Sequence, residues 1–295
     1  MRETAVVQRI RALVESGVHD TSIIQGIGDD CAVLRPRSNE DFVFTSDFVL
    51  EGRHFTLARH KPAEIGHQAL ARGLSDLAAM GSEPVFFLVS LGVPARLGMS
   101  WVDRFYKGLL SLAAKYSVML AGGDLAQFGK VVADVMCCGR VPRGKAILRS
   151  GAKLGDGIYV TGALGGAAHR FALHKRSGGP EPRIRAGVGL RRLGVSAGMD
   201  LSDGLSLDLK RLCLESRVSA ELDSDLPIAP GASLEHALHG GEDYELLVTM
   251  PPKKKVPKKI AGLPLTRIGR IVEGDAGQIH FRGRQLKAKG FDHFR

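Results

Sequence analysis

Long hydrophobic runs, paired cysteines and the usual nucleotide-binding loops are all missing from this chain of 295 residues. No apolar stretch approaches the roughly 20 residues a membrane-spanning helix needs, so the chain reads as soluble. The opening "MRETAVVQRIRALVESG" spaces its apolar residues at helical intervals and interrupts them with arginine, which predicts an amphipathic helix and not a signal peptide. Cysteine occurs four times, at Cys31, Cys137, Cys138 and Cys213, without C-x-x-C spacing. So few in so long a chain exclude a disulfide scaffold and point to reduced thiols in a cytoplasm. Neither the G-x-x-x-x-G-K-S/T loop nor a strand-following G-x-G-x-x-G is present, so any bound phosphate must be neutralised by other means. Zinc-finger spacing, RNP-type aromatic motifs, short tandem repeats and long low-complexity segments are absent as well.

What is present begins with charge. Lys and Arg number 41 against 31 Asp and Glu, a net charge of +10. Five of the lysines fall in "PPKKKVPKKI", residues 251–260, and supply half of that excess. The tract reads either as a solvated loop or helix end or as a contact for a polyanion; charge alone names no partner. The chain is 44% hydrophobic, enough for one large or two ordinary cores.

Strand-like and helical segments alternate. "DFVFTSDFVL" (41–50) and "EPVFFLVSLGV" (83–93) are rich in β-branched and aromatic residues. "PAEIGHQALARGLSDLAAMG" (62–81) places Leu70, Leu74 and Leu77 on one helical face, with proline at its start and glycine after it. A second amphipathic helix, "SWVDRFYKGLLSLAAKYS", precedes "VMLAGGDLA" and the strand "KVVADVMCCGRV". A further α/β set runs from "GIYVTG" (157–162) through "LDLKRLCLESR" to "YELLVTM" (244–250). The loop-like 142–157 is the natural divide, predicting α/β domains over 1–141 and 142–295.

The acidic residues form a pattern of their own. "GIGDDCAVL" (26–34) sets Asp29 beside Asp30, "TSD" ends a strand at Asp47, "LSD" places Asp76 in a helix, "GGD" places Asp124 after a hydrophobic strand, and "DLSDG" holds Asp200 and Asp203. Any one of them is an ordinary cap or turn residue. Their recurrence beside Gly, Ser and apolar sequence predicts a carboxylate cage instead. Such a cage repels itself unless cations fill it, and hard oxygen ligands without Cys or His pairs select magnesium or calcium. Magnesium commonly binds one or two carboxylates plus substrate phosphates, which makes a nucleotide the expected substrate. Adjacent side chains of an extended segment face opposite ways, so Asp29 and Asp30 are not both expected to point into one site.

"GIGDDCAVL", "TSDFVLEGRHF", "ALARGLSDLAAMGSEP", "SLGVP", "AGGDLA", "RSGAKLGDGIYVTGALG", "PEPRIRAG", "MDLSDGLSLDL", "GGEDYELLVTMP" and "GFDHF" follow one another in an order that resembles the thiamine-monophosphate kinases. That family sits in the superfamily of aminoimidazole ribonucleotide synthetase, the hydrogenase-maturation dehydratases and selenophosphate synthetase. The cysteine or selenocysteine positions used by the latter two branches have no counterpart here. The resemblance implies a two-domain, PurM-like α/β (α+β) architecture whose N-terminal domain pairs with its twin in a homodimer and whose C-terminal domain covers ATP. It implies a magnesium shell of Asp30, Thr45, Ser46, Asp47, Asp76, Asp124, Asp200 and Asp203, with Asp30, Asp47 and Asp124 central to catalysis. It further implies nucleotide contacts at Tyr106, Gly122, Gly123, Arg149 and Ser202, and thiamine-side contacts at His54, Glu242 and Phe291.

The residues themselves leave some of these positions two ways to be read. The Arg149 guanidinium matches phosphate oxygens, yet a loop arginine is as readily solvated. Phe291 suits a cationic thiazolium or serves as a tail anchor, and His54 is a ligand or a packed histidine. Two departures stand out: Leu125 and Ala126 follow "GGD" where the family commonly has a hydroxyl, and "LGG" at 164–166 replaces the common "LGD". The implied reaction is in-line transfer of the γ-phosphoryl of ATP to thiamine monophosphate in the cytoplasm, with magnesium as cofactor, no membrane and no nucleic acid. The alternatives are another ATP-dependent synthetase or kinase of the superfamily, or a regulator that binds nucleotide or nucleic acid.

Overall fold

The computed structural model describes residues 8–10, 12–14, 17, 21–25, 33–173, 179–223 and 225–290; Asp29, Asp30, Cys31 and Phe291 lie outside them. The chain divides into two units, Met1–Leu77 with Glu83–Gly144, and Ala78–Ser82 with Lys145–Arg295.

In the first unit a short β1 (Ile23–Gln25) pairs with β2 (Val33–Leu34), and the main elements are β3 (Glu40–Leu50), α1 (Pro62–Ala79), β4 (Glu83–Val93), α2 (Gly98–Tyr116), β5 (Met119–Gln127) and β6 (Val132–Pro142). The four long strands form one sheet in the order β3-β6-β4-β5, antiparallel except between β4 and β5. Helix α1 starts where proline costs no hydrogen bond, and Glu64 Oε2 accepts the Lys61 N–H at 2.7 Å at that end. Leu70, Leu74 and Leu77 are all buried, as their spacing predicts; each contributes roughly 1.5–3 kcal/mol by leaving water. Helices α1 and α2 cross where each has a glycine. A Cβ on Gly66 would fall 2.0 Å from Phe105 O and one on Gly108 1.9 Å from Ala63 O, so larger residues would force the helices apart.

Two strands run further than their sequences imply. Asp47 does not end a strand: β3 stays paired with β6 from Glu40↔Pro142 to Leu50↔Val132, leaving Asp47 inside it opposite Val135. Likewise β5 continues through "GGD", because its pairing with β4 persists to Val93↔Gln127, and Asp124 is a strand residue. Alternation along β3 sends Phe44, Ser46 and Phe48 to an open face, with the two phenylalanines 61% and 55% exposed. Thr45, Asp47 and Val49 turn to the other face, where Val135 and Cys137 are buried.

The second unit contains β7 (Gly157–Thr161), α3 (Gly166–Ala172), α4 (Ile184–Leu193), β8 (Ala197–Asp200), α5 (Leu205–Ser216), β9 (Ser219–Leu222), α6 (Leu234–His239), β10 (Leu246–Met250), β11 (Lys259–Ile260), β12 (Leu263–Val272), β13 (Ile279–Phe281) and β14 (Arg284–Gln285). Its sheet runs β14-β13-β9-β12-β7-β10-β8, with β11 hydrogen-bonded beside β12. Ile158, Val160, Leu201, Leu209, Leu212, Leu247 and Ile268 form its core. Strand β10 begins at Leu246, later than the 244–250 segment implies, because Glu242 and Tyr244 adopt positive φ values of 66° and 51° and bend the chain before it. Lys253, Lys254 and Lys255 are exposed in the turn after β10. Among the described residues no helix is long and apolar enough to cross a membrane.

Candidate functional site

Thr45, Asp47 and Asp76 come together in the first unit. The Thr45 hydroxyl donates to Asp76, which α1 carries on the side facing β3. Asp47 has its carboxyl within hydrogen-bonding reach of Asp76, and Arg72, one turn earlier on α1, stands 3.7 Å from Asp47 Oδ1. Burial pushes the Asp47 carboxyl up to about 6; the Asp76 charge adds to the rise, Arg72 opposes it, and Asp134 raises it further. Two carboxyls and a hydroxyl at one place, incompletely offset by one guanidinium, form an all-oxygen donor set suited to a hard divalent cation. Cys137 is buried beside them, and burial and both aspartates hold its thiol well above its ordinary value.

A second row of polar groups crosses the same sheet. Phe48 stands level with Asp134, Asp134 with Ser90, and Ser90 with Asp124. Ser46 Oγ donates to Asp134 Oδ1 at 2.6 Å, while Asp124 Oδ1 accepts the Leu125 N–H at 2.9 Å. Gly122 and Gly123 precede Asp124 on β5, opposite Leu88 and Val89. Sequence reasoning passed over both Asp134 and Arg72. The signal for Asp134 was available: a lone aspartate inside "VVADVMCC" is hard to place on a hydrophobic strand unless it has a polar partner.

In the second unit Asp200 ends β8 and is 3% exposed, with Leu246 opposite it. Asp203 follows in a turn held by Asp208, whose Oδ2 accepts the N–H groups of Asp203 and Gly204 at 2.9 and 3.0 Å. Arg211 Nη1 bridges Asp203 Oδ2 at 2.5 Å and Asp208 Oδ1 at 2.8 Å. Burial outweighs these donors and holds the Asp208 carboxyl at about 6. Asp208 and Arg211 were also missed, although the spacing of "DGLSLDLKR" puts both one or two helical turns after Asp203. Among the described residues, which do not include Asp30, no group of three or more His, Cys, Asp or Glu placed to hold a metal ion is found; Asp47 and Asp76 form a pair in the first unit. Pairs of this kind suit magnesium that takes its remaining ligands from substrate phosphates.

The other expected residues are placed as follows. His54 lies in the turn after β3, where its Nδ1 accepts the Leu50 N–H at 3.0 Å. Arg149 is exposed, and its loop is pinned by Ser216, whose hydroxyl donates to Arg149 O at 2.7 Å and accepts from Gly151 N and Ala152 N at 3.1 Å each. Ser202 O accepts the Glu242 N–H at 2.8 Å. Tyr106 is buried on α2: its ring is 2% exposed, packed edge-on to Phe105, and burial raises its phenol above the ordinary value. The helical periodicity of α2 put it on the core side. Asp30 and Phe291 fall outside the described residues.

Residues 28–141 match the family model for the N-terminal domain of AIR synthase related proteins, and residues 154–282 the model for the C-terminal domain. A thiamine-monophosphate kinase of Escherichia coli strain K12 is 36% identical, the alignment covering 99% of this chain and 98% of that protein. The crystal structure of thiamine-monophosphate kinase from Stenotrophomonas maltophilia K279a superposes with a TM-score of 0.83 at 35% identity, over 97% of this chain and 98% of the other. The structure named "AaThiL complexed with AMPPCP and TMP" superposes with a TM-score of 0.79 at 29% identity, over 100% and 99% of the two chains.

Proposed function

The chain belongs to the thiamine-monophosphate kinase family, and from that premise we infer that it transfers the γ-phosphoryl group of ATP to the phosphate of thiamine monophosphate, forming thiamine diphosphate and ADP. The observation that carries the reading is the end-to-end similarity to kinases of this activity, one of them a structure holding AMPPCP and TMP. The acidic pair Asp47–Asp76 is the local chemistry that supports it.

The oxygen donors of both units fit magnesium. Thr45, Asp47 and Asp76 would hold it on one face of the first unit's sheet, and Asp200 and Asp203 would offer oxygens in the second unit; Ser46 and Asp124, on the open face, and Asp30 join them on resemblance alone. Magnesium when bound supplies positive charge against the repulsion of two phosphates and the charge of the loose transition state. The chain's own residues do the rest. Arg149 offers an exposed guanidinium fork to phosphate oxygens. Gly122 and Gly123 face the nucleotide on resemblance alone, since a Cβ on Gly123 would meet Val89 O of β4 at 2.0 Å, and Ser202 offers a hydroxyl beside Asp203. Because His54 Nδ1 accepts a backbone N–H, the ring carries its proton on Nε2, an atom that is buried in this structure. The Glu242 carboxylate suits the cationic thiazolium. A phosphate monoester has a second pKa near ~6 and is largely dianionic at neutral pH, so the attacking oxygen needs no general base. Transfer is then direct and in line, its rate set by alignment and charge, with no phosphorylated side chain.

Two features of the surroundings support the remaining parts of this reading. Phe44 and Phe48 are exposed on one sheet face with Phe42, Leu88 and Met136 partly buried on the same unit, an apolar surface suited to a second copy of this chain in a homodimer. Cys137, Cys138 and Cys213 are buried free thiols, in keeping with a cytoplasmic setting.

The deciding experiment supplies the purified chain with ATP, magnesium and thiamine monophosphate. Thiamine diphosphate and ADP are expected in equal amounts, with free thiamine a poor acceptor and no label on the protein from γ-labelled ATP. ATP and magnesium binding without any diphosphate formed would reject the kinase assignment.

A further inference from the structure

Glu242 and Tyr244, on either side of Asp243, both occupy the left-handed backbone region, at φ 66° and 51°. Residues with a Cβ disfavour this conformation and keep it only where surrounding contacts impose it. Here the contacts are numerous. The N–H groups of Glu242 and Tyr244 donate to Ser202 O and Leu201 O at 2.8 and 2.9 Å, and Leu201 N–H donates to Glu245 O at 2.8 Å. The turn is thereby laced to the segment between Asp200 and Asp203. On its other side the Asp243 carboxylate accepts the Gly165 N–H at 2.5 Å on one oxygen and the Ala167 N–H at 3.0 Å on the other. Burial raises the Asp243 carboxyl and these two donors oppose the rise. Two residues on, Glu245 is 4% exposed and engaged: Thr161 Oγ1 donates at 2.6 Å, Arg183 Nε at 3.0 Å and Arg183 Nη2 at 2.5 Å. Gly162 leaves room for that carboxylate, since a Cβ there would fall 2.1 Å from Glu245 Oε1.

The anchors differ in what they can do. The Glu245 network secures the start of β10. The backbone bonds to residues 201 and 202 fix one edge of the turn. The Asp243 clamp lies between the two left-handed residues, so it decides the direction in which the turn faces and with it the Glu242 side chain. We propose that Asp243 is a positioning residue for acceptor recognition: clamped by Gly165 and Ala167, it holds the Glu242–Tyr244 turn in the conformation that presents Glu242 to thiamine monophosphate. The proposal rests on the reading above that Glu242 contacts the acceptor.

The test compares kcat and both KM values for the intact enzyme, Asp243→Ala, Glu242→Gln and the double variant, with the thermal midpoint recorded for each. Asp243→Ala is expected to raise the KM for thiamine monophosphate about tenfold or more while the KM for ATP stays within about twofold. Asp243→Asn, which keeps one acceptor oxygen, should recover part of the loss. Because Asp243 acts through Glu242, the double variant should be no worse toward the acceptor than Glu242→Gln alone. Ala167→Pro removes one donor from the clamp at a helical position that tolerates proline and leaves Asp243 untouched. It should move the same KM in the same direction by less, and it serves if Asp243→Ala does not fold. Equal rises in both KM values, or additive effects in the double variant, would overturn the positioning role. If Glu242→Gln raises the acceptor KM while Asp243→Ala and Ala167→Pro do not, only the positioning role falls. If Glu242→Gln leaves the acceptor KM unchanged, the contact at Glu242 and the positioning role fall together, and the kinase activity itself still stands.

Discussion

A hydrogen bond from the Thr45 hydroxyl to the Asp76 carboxyl spans 31 positions of sequence and joins β3 to α1 at the point where Asp76 meets Asp47. Two acidic groups thus meet beside a neutral donor to one of them, with Arg72 3.7 Å from the other, an arrangement that gains when a cation arrives.

Asp47→Asn and Asp76→Asn keep side-chain shape and remove charge. Each should lower turnover by roughly 10² or more, the loss that follows removal of one preorganised electrostatic group. Both variants should remain folded, and the rise in thermal midpoint that magnesium produces in the parent protein should shrink. Near-normal turnover in both at saturating magnesium would eliminate these residues as cation ligands.

Tyr106→Phe tests whether that residue serves packing or the nucleotide. The ring stays in the α2 core and only the hydroxyl is lost, so the KM for ATP should stay within about twofold. Tyr106→Ala, by contrast, should cost about 3–5 kcal/mol in denaturant unfolding through the cavity it leaves. A large KM effect for ATP in Tyr106→Phe, without a stability change, would restore the nucleotide contact.

Exposed Phe44 and Phe48 bear on assembly. Replacing both with Glu leaves the buried face of β3 intact and sets charge on the apolar surface. Light scattering should show a homodimer for the parent chain and a monomer for the variant. A variant that stays dimeric would move the interface elsewhere.

His239 predicts the sign of one pH effect. Burial lowers its pKa below the ordinary 6.5, Lys289 contributes in the same direction, and Glu235 opposes. The folded state therefore binds fewer protons than the unfolded chain just below pH 6.5. Stability is fully present above that value and declines as pH falls through the lowered folded-state pKa. Denaturant midpoints measured between pH 7.5 and 5, in units chosen as about half a pH step, should fall more steeply for the parent than for His239→Gln. Identical slopes would remove His239 from the acid response.

Much of this protein was legible before its fold. The spacing of Leu70, Leu74 and Leu77 and the Pro and Gly at its ends specify α1, because helix caps and amphipathic periodicity are local. The succession of aspartates beside Gly, Ser and apolar sequence carried the resemblance to the family. Strand length was not legible: β3 runs past Asp47 and β5 through "GGD" because the partner strands β6 and β4 continue there, and pairing between distant segments has no local signature. The same holds for the company each aspartate keeps. Sequence placed Asp47 and Asp76 in different elements; only the packing of α1 on the sheet brings their carboxyls together with Thr45 and Arg72. Tyr106 is a residue whose burial follows from the rotation of α2 about its axis, which decides whether a side chain meets solvent or core. Local chemistry, in short-range patterns of turn, cap and period, was written in the chain; long-range chemistry, in which a charge acquires its partner and a buried group its shifted affinity for a proton, was decided when the strands and helices met.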